Sequence, residues 1–534
     1  MKRPSSSRSD ARPGDPSDGR PGDPAVARPG DPSDGRPGGD ADDLASAEPG
    51  GLFGALFSSP AVDREISGRA WLQALLDVES ALAAAEGRAG LVPEAAAKAI
   101  GAHCSARYFD AAGIARRATS SGNPVVPLVR DLTALVPAHA KPYVHLGATS
   151  QDIIDTAMML IARRALVPVL ADLEASADAA AALAHEHRDT VMAGRTLMQQ
   201  ALPTTFGMKA AGWLVSLDQA AAELAGIRAS RLPVQFGGGA GTLASLGGDG
   251  ARVVPLLARE LGLADPVLPW HTDRVPVTTL AGALGTAAGV LAKIALDVVL
   301  LSQTEVAEVA EGPDPDDPGR GGSSTMPHKR NPVGAVLVTA AGKRVPGLVA
   351  TLFGAMGHEH ERAAGAWHAE WESLTELLRL IGGAAANGRK LLAGLSVDAG
   401  RMRENLGITH GTIMAESVAS RLAPALGRTG AQELAARASR QAAERGIPLR
   451  AALLAEPAVR EHLPEDAVDA ALDPAAYLGS APEFIDRALA VHRRRASADG
   501  AGHAGAAADR GDSAAGPGAD PAPGPDTEGG AAGA

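Results

Sequence analysis

The sequence predicts an all-α protein with a central bundle of long helices and an unstructured segment at each end. Alanine and leucine dominate the body, aromatic residues make up only 3% of the chain, and runs of β-branched residues are rare. Several stretches between prolines are long enough for helices of many turns. These observations indicate helices that pack along their whole length.

The two ends have no pattern that could build a core. Residues 1–50 contain the segment Arg12-Pro-Gly-Asp-Pro-Ser-Asp-Gly-Arg-Pro-Gly22, which recurs at residues 28–38. Residues 497–534 are mostly alanine, glycine, aspartate and proline. Neither end has the apolar periodicity needed to offset the entropy of ordering, so both are predicted to be disordered.

Charge and cysteine content exclude several classes of protein. The ends carry −3 and −5 of the net charge of −12, which leaves −4 for the body. A nearly balanced body argues against a nucleic-acid partner. The single cysteine, Cys104, excludes an internal disulfide and a cysteine-based metal cluster. No apolar segment follows Lys2 and Arg3, and no run of 18 uncharged apolar residues is recognised, so the sequence predicts a cytoplasmic protein without a membrane partner.

The predicted elements follow in order. A first amphipathic helix at 71–86 and shorter elements form an N-terminal domain, 51–151. The central domain, 152–395, contains long helices that are predicted at 152–188 with a break at Pro168, 204–231, 280–311, 333–356 with a kink at Pro346, and 370–395. Shorter helices fill a C-terminal domain, 396–496.

The third long stretch indicates how the bundle packs. Leu284, Leu291 and Val298 are seven residues apart and therefore form one column facing the bundle. Helices of this length in one chain would leave apolar stripes uncovered, so we expect a homo-oligomer.

The segment at 321–332, Gly-Gly-Ser-Ser-Thr-Met-Pro-His-Lys-Arg-Asn-Pro, is the first candidate for chemistry. It combines two hydroxyls, Ser323 and Ser324, with the cations Lys329 and Arg330 and the amide of Asn331. The preceding residues have no apolar side chain except proline, so the segment is predicted to be a mobile lid. The alternative is a solvated loop with incidental charges.

A second candidate, His145-Leu-Gly-Ala-Thr-Ser-Gln-Asp152, opens the first long helix. Thr149, Ser150 and Asp152 suit capping of the helix N-terminus. The same backbone N–H groups, with the hydroxyls of Thr149 and Ser150, could also hold a carboxylate, and both roles can hold together.

Two further clusters are weaker signals. Arg195, Thr196 and Gln199 lie among apolar residues before a helix, which is also typical of a satisfied turn. His271 and Arg274 could bind an anion, but such residues more often lie at the edge of a core. The histidines lack the spacing of a metal site, so no metal is expected.

Together, the segments at 323–332, 145–152 and 194–196 resemble the three sequence blocks of the fumarase/aspartase superfamily over residues 52–495. The resemblance implies a three-domain fold with a central helical bundle, a homotetramer with sites shared between three subunits, and β-elimination or its reverse on carboxylates without a cofactor. It also implies that Ser323 transfers the proton and that Lys329 and Asn331 stabilise the intermediate.

By the same resemblance the remaining site residues contact a small tricarboxylate substrate. His145 is either catalytic or positions its neighbours. The predicted substrate-binding residues are Thr149, Ser150, Arg195, Thr196, Gln199, His271, Arg274, Ser324, Met326 and Arg330.

One difference from the superfamily motifs limits the reactions that this chain could catalyse. By the resemblance, argininosuccinate and adenylosuccinate lyases, which expel nitrogen, have a histidine after Gly-Arg-Thr, whereas this chain has Leu197. A nitrogen leaving group benefits from protonation, but a carboxylate, with a conjugate-acid pKa of ~4, departs or attacks as an anion. Leu197 therefore favours a member whose leaving or attacking group is a carboxylate. Residues 57–60, 122–128 and 360–371 resemble those of the cycloisomerases of this superfamily, which implies addition of a carboxylate to a double bond. The alternatives are an adenylosuccinate-type elimination and a noncatalytic helical scaffold.

Overall fold

The computed structural model describes residues 51–313, 319–323 and 325–511, which lie in one unit, Ala45–Ala534. The all-α prediction is confirmed: in these residues long helices form a bundle, and strands form only two small two-stranded sheets. The predicted disorder of residues 1–50 lies outside the described residues, as does Ser324. Of the tail predicted to be disordered, 497–534, residues 497–511 continue a helix and residues 512–534 lie outside the described residues.

The N-terminal part is made of short helices around one longer helix. Its first amphipathic helix is three residues longer at each end than predicted, because Ser67 caps it by accepting the N–H of Ala70 and Gly90 ends it in a left-handed conformation. The helices are α1 Gly51–Gly54, α2 Pro60–Ile66, α3 Gly68–Ala89, α4 Glu94–His103, α5 Ala111–Ser121 and α6 Val125–Leu135.

The central part contains five long helices that pack side by side. In chain order its elements are α7 Ser150–Glu186, β1 Val191–Thr196, β2 Gln199–Thr205, α8 Phe206–Ser230, α9 Gly250–Leu261, α10 Val275–Leu301, β3 Val309–Glu311, α11 Val333–Gly354 and α12 Ala366–Ala393.

Helix α7 runs the length of the bundle. It has 37 residues and is therefore about 55 Å long at 1.5 Å per residue. The predicted break at Pro168 is wrong, because the helix continues through it. The residues around it, Leu166 and Val169, are buried, and this packing outweighs the hydrogen bond that proline removes.

Helices α10 and α11 confirm the predicted bundle column and add a correction. Leu284, Leu291 and Val298 are all buried. Helix α10 ends at Leu301, however, and the chain then turns into β3. Both helices are long and apolar enough to cross a membrane by length and composition alone, a property that the sequence reading missed. Since they pack closely on each other and on α12, they form part of the bundle.

The strands were not predicted. Strands β1 and β2 form an antiparallel hairpin, with a register shift between Gly194 and Arg195, and β3 pairs with the later strand β4 Leu395–Val397. Sequence reading had treated the hairpin as a turn, because its alternation is weak and its tip, Leu197-Met198, lacks the usual glycine or asparagine.

The C-terminal part has a small apolar core of its own, in which Val418, Leu434 and Leu453 are buried. The last helix packs on α8 and α7 and continues to Gly511, past residue 496, where the folded part was predicted to end. The elements are α13 Ala399–Leu406, α14 Ala415–Arg445, α15 Leu449–Ala455, α16 Pro457–His462, α17 Glu465–Ala471 and α18 Ala481–Gly511.

Candidate active site

The N-terminus of α7 is held by a buried carboxylate. Asp152 accepts the N–H of Thr149 (3.0 Å), as the sequence predicted for a cap, and also the N–H groups of Gly237 (3.0 Å) and Gly238 (2.9 Å). His271 Nε2 lies 2.7 Å from the same carboxylate. These contacts fix the helix end, while the side chains of Thr149 and Ser150 stay only half-buried and can meet a ligand.

A second carboxylate network lies one turn further along α7. Arg274 is fully buried and donates to Asp155 (2.8 and 3.1 Å) and to Glu370 (2.9 and 2.5 Å). Burial opposes the charge of this guanidinium, but the two carboxylates outweigh it and raise the pKa of Arg274 further. Trp367 Nε1 adds a hydrogen bond to Asp155 (2.9 Å).

This geometry changes the expected roles of His271 and Arg274. Both were predicted as substrate ligands, but both are buried and already occupied by Asp152, Asp155 and Glu370. Their side chains therefore support the N-terminus of α7, and we leave both out of the proposed ligand contacts. We call the group Asp152, Asp155, His271, Arg274 and Glu370, with the helix end that it holds, the network end.

His145 stands beside the network end with a buried partner. Its Nδ1 lies 2.7 Å from Oε1 of Glu79, which is 1% exposed. Burial lowers the pKa of this imidazole, but the charge and hydrogen bond of Glu79 outweigh burial and hold the pKa above its ordinary value. The backbone of His145 is left-handed, with φ 59°. The carboxylate fixes the ring orientation and favours its charged form.

The hairpin β1–β2 lies at the other end of α7. Arg195 donates two hydrogen bonds to Glu308 (2.9 and 2.6 Å), a fully buried carboxylate that also accepts from Asn405 (2.8 Å). Arg195, predicted as an anion ligand, is thus largely neutralised. At the tip, Leu197 and Met198 have φ of 49° and 66°, a conformation that costs non-glycine residues energy.

The hairpin tip is open to solvent. Leu197 is 96% exposed, and Thr196 and Gln199 are exposed beside it. Leu197 and the 68% exposed Met198 therefore place two adjacent apolar side chains in left-handed backbone at an uncovered tip.

The loop before α11 starts from the same end of the bundle as the hairpin. Glu311, three residues after Glu308, accepts the first N–H groups of α11 from Gly334 (3.0 Å) and Ala335 (2.7 Å). Asn331 closes the loop by donating its backbone N–H (2.8 Å) and Nδ2 (3.1 Å) to the carbonyl of Gly321. Gly321 has φ 81°, and a Cβ there would meet the Asn331 oxygen at 2.5 Å, so only glycine fits.

The reactive groups of this loop are accessible. The oxygen of Ser323 accepts the N–H of Met326 (3.1 Å), and Met326, Lys329 and Arg330 are exposed. Within the described residues neither Lys329 nor Arg330 has an ion pair. We call the hairpin β1–β2, Glu308 and residues 319–332 together the hairpin end.

The two ends are far apart in one chain. The network end lies at the first residues of α7 and α10, and the hairpin end follows the last residues of both helices. These helices have 37 and 27 residues, so the separation is about 40–55 Å. One chain therefore does not bring Thr149 and Ser150 to Thr196, Ser323 and Lys329.

Sequence reasoning missed Glu79 and Glu308, the buried partners of His145 and Arg195. They lie 66 and 113 residues away from those partners in the chain. No local pattern identifies such pairs. For Glu79 the only signal was a glutamate on an apolar helix face, which is typical of an ion-paired core residue, and Glu308 lies between α10 and β3 without such a signal.

Comparisons with known proteins agree with this fold. The family model described as "Lyase" matches residues 59–347, more than half of the chain, and the one described as "Adenylosuccinate lyase C-terminus" matches residues 411–488. The solved structure of 3-carboxy-cis,cis-muconate lactonizing enzyme from Pseudomonas putida has a TM-score of 0.78 and 44% identity, covering 83% of this chain and 99% of that one.

Two curated relatives are equally similar. The 3-carboxy-cis,cis-muconate cycloisomerase of Pseudomonas aeruginosa is 48% identical over 444 residues, 83% of this chain and 96% of that protein. The nitrosuccinate lyase of Streptomyces davaonensis is 48% identical over 458 residues, 84% of this chain and 96% of that protein. The chain belongs to this lyase family, the fumarase/aspartase superfamily that its three motifs predicted.

Proposed function

We propose that this protein is an enzyme that closes 3-carboxy-cis,cis-muconate to 4-carboxymuconolactone, a step in the degradation of protocatechuate. The observation that carries the proposal is Leu197, which stands at the hairpin tip where the superfamily resemblance implies a histidine in argininosuccinate and adenylosuccinate lyases. Leucine cannot protonate a leaving group, so the reaction must use a group that reacts as an anion. The cycloisomerase relative, at 48% identity, supports the same reaction.

The proposed chemistry adds a carboxylate across a double bond. An oxygen of one substrate carboxylate forms a bond to one alkene carbon, and the electron pair of the double bond moves toward the adjacent carbon. Ser323 donates a proton to that carbon and regains one from solvent. The attacking oxygen is already ionised and needs no acid.

Ser323 suits this role only if its alkoxide is stabilised. An N–H donor and a nearby cation favour the ionised hydroxyl, and Ser323 has the Met326 N–H at 3.1 Å and Lys329 in the same loop. We propose that Lys329 and Asn331 stabilise the added negative charge on the intermediate. Preorganised donors of this kind contribute about 3–4 kcal/mol each in comparable sites.

The rest of the site would hold the substrate. Thr149 and Ser150, with the N–H groups that begin α7, would bind one carboxylate. His145 would supply positive charge beside them, because Glu79 holds its pKa up. Thr196, Gln199, Met326 and Arg330 remain proposed contacts, and no cofactor or metal is proposed.

The distance between the two ends requires more than one chain. We propose a cytoplasmic homotetramer in which antiparallel bundles bring the network end of one subunit to the hairpin ends of others. Exposed apolar residues on the bundle helices support this assembly: Val275 is 53%, Leu296 48%, Val336 50% and Phe353 50% exposed. Such residues would be buried between subunits.

Nitrosuccinate elimination is the second candidate, favoured by the relative that is also 48% identical. In that reaction Ser323 would remove a proton from carbon while the neighbouring C–N bond breaks and nitrite leaves with its electron pair. Nitrite is a weak base, so it too departs without an acid at position 197.

Purified protein supplied with each substrate separates these functions. The proposed cycloisomerase removes the conjugated-diene absorbance of 3-carboxy-cis,cis-muconate and releases no nitrite from nitrosuccinate. Nitrite release without diene loss would replace the first function by the second. Activity on neither substrate would contradict both.

A further inference from the structure

A large cavity opens beside the hairpin. It has a volume of about 810 Å³ and lies between the hairpin β1–β2, α8 and α10. Arg195 and Thr196 line it on the hairpin side, and Lys209 of α8 and Lys293 of α10 line it on the helix side. The cavity therefore reaches Thr196, which remains a proposed substrate contact.

The cations that line this cavity differ in whether a carboxylate pairs with them. Arg195 is bound by Glu308, and Lys293 forms an ion pair with Asp297, which also accepts from Trp213 Nε1 (2.8 Å). Lys209, although half-buried, makes no hydrogen bond or ion pair through its ammonium group within the described part of the chain. Among the cations that line this cavity, it is the one without a direct partner in the described residues, and Asp297 and Glu308 act on it only from longer range.

The electrostatic surroundings agree with this difference. Burial lowers the pKa of Lys209, and the charges of Lys293 and Arg195 lower it further against the opposing effect of Asp297 and Glu308. An anion placed beside this ammonium group would remove that penalty.

Two glycines keep the cavity wide. Gly212 of α8 and Gly289 of α10 both line it, and a Cβ added at either would meet no atom within 4 Å. Glycine inside a helix is unfavourable relative to alanine. Since the packing of this chain does not require either glycine, the space that they leave suits a group from outside the chain.

We propose that this cavity is a carboxylate-binding subsite in which Lys209 is the cation, and that it takes one carboxylate of a small polycarboxylate. The hydroxyls of Thr204 and Thr286 line the same cavity and would complete the contacts. The identification of that ligand with the substrate rests on the proposed function, because 3-carboxy-cis,cis-muconate has three carboxylates to place.

The probe is tricarballylate, a saturated tricarboxylate, titrated calorimetrically into the full-length protein. Lys209→Met should weaken its binding about ten- to a hundredfold, the worth of one charge-assisted hydrogen bond. Lys209→Arg keeps the charge and should restore most of the affinity. Lys98→Met, on exposed α4, is the control and should bind like the wild type.

Several results would overturn the subsite. The first is the absence of tricarballylate binding by the wild type, and the second is equal affinity in Lys209→Met and the control. The third is a changed subunit number in Lys209→Met, measured by light scattering, because it would show that the cavity is a subunit contact. Gly212→Leu should block binding with the subunit number unchanged. Binding that depends on Lys209 in a protein inactive on 3-carboxy-cis,cis-muconate would keep the subsite and remove the proposed function. If the enzyme is active on 3-carboxy-cis,cis-muconate and its KM is the same in Lys209→Met, the proposed function is kept and the role of the subsite in binding that substrate is rejected.

Discussion

The network end and the hairpin end of the bundle differ in whether their cationic side chains are buried and paired. At the network end Arg274 is fully buried, and two carboxylates occupy its guanidinium. At the hairpin end Lys329 and Arg330 are exposed without an ion pair among the described residues, and the apolar tip residue Leu197 is 96% exposed. The first end has its charges paired within one chain, while the second presents groups that have no ion pair among the described residues.

This difference indicates a division of labour. A satisfied, buried network fixes the N-terminus of α7, so Thr149 and Ser150 would be preorganised for the carboxylate that we propose they bind. The hairpin end leaves Ser323, the proposed proton donor, accessible, and Lys329 and Arg330 have no ion pair among the described residues, so these groups could meet a ligand or another subunit. Substitutions at the first end should therefore reduce stability, and substitutions at the second should reduce turnover.

The largest expected effect is at the hairpin end. Ser323→Ala should lower kcat on 3-carboxy-cis,cis-muconate by about 10²–10⁴-fold, because positioned proton transfer contributes that much, while the melting temperature stays unchanged. Diene absorbance and thermal unfolding measure the two effects, with Ser230→Ala at the exposed end of α8 as the control. Normal turnover in Ser323→Ala would assign the proton to another residue.

Glu86 of α3, near Glu79 and the network end, should make the free energy of unfolding depend on pH. Its carboxyl is fully buried with neither oxygen hydrogen-bonded, and burial, followed by the charge of Glu79, raises the pKa of Glu86 to about 9. The folded pKa lies above the unfolded value of 4.5, so the folded chain keeps a proton that the unfolded chain releases.

The contribution of Glu86 to stability is therefore fully present below pH 4.5 and is lost as pH rises to about 9. Each pKa unit corresponds to about 1.4 kcal/mol, so the loss amounts to several kcal/mol. Glu86→Gln should match the wild type near pH 4 and exceed it in free energy of unfolding at pH 8, measured by urea denaturation. Parallel pH profiles for the two proteins would show that Glu86 is not protonated in the folded chain.

Arg274→Met at the network end should lower the free energy of unfolding far more than a cation substitution at the hairpin end. Removing this cation leaves Asp155 and Glu370 buried without their partner, and breaking a buried ion pair in this way costs about 3–5 kcal/mol. Lys329→Met at the hairpin end should change the free energy of unfolding by no more than about 0.5 kcal/mol. Urea denaturation at pH 7 compares them, and equal losses would remove the distinction between the ends.

Mixing variants tests whether the ends meet between subunits. Ser323→Ala and the double variant Thr149→Val/Ser150→Ala are each expected to be inactive. When their subunits are exchanged, about a quarter of the sites receive two intact ends and should regain activity. Mixing Ser323→Ala with Lys329→Met is the control, since both changes lie in one loop and no intact loop results. Recovery in neither mixture would place the whole site in one chain.

The bundle could be predicted from the sequence because its signals are local. The heptad column Leu284, Leu291 and Val298 identified the bundle face of α10 from spacing alone. The break at Pro168 was predicted wrongly because burial of neighbouring side chains, which the local pattern does not show, outweighs the local cost of proline.

The candidate site was predictable only in part. The motifs predict Thr149, Ser323 and Lys329 as site residues because their types suit an anionic substrate, and the variants above test that prediction. The roles of Arg274 and His271 depend on Asp155 and Asp152, each 119 residues away, so a sequence pattern could not separate a ligand from a buried ion-pair partner.

The length of α7 has a consequence for how the proposed enzyme responds to dilution. A helix about 55 Å long separates the carboxylate-binding half from the proton-donating half, so a lone chain could fold fully and still have no turnover. Specific activity should then depend on protein concentration and fall once subunits dissociate. Below the protein concentration at which subunits assemble, the cell would contain folded chains without enzymatic activity.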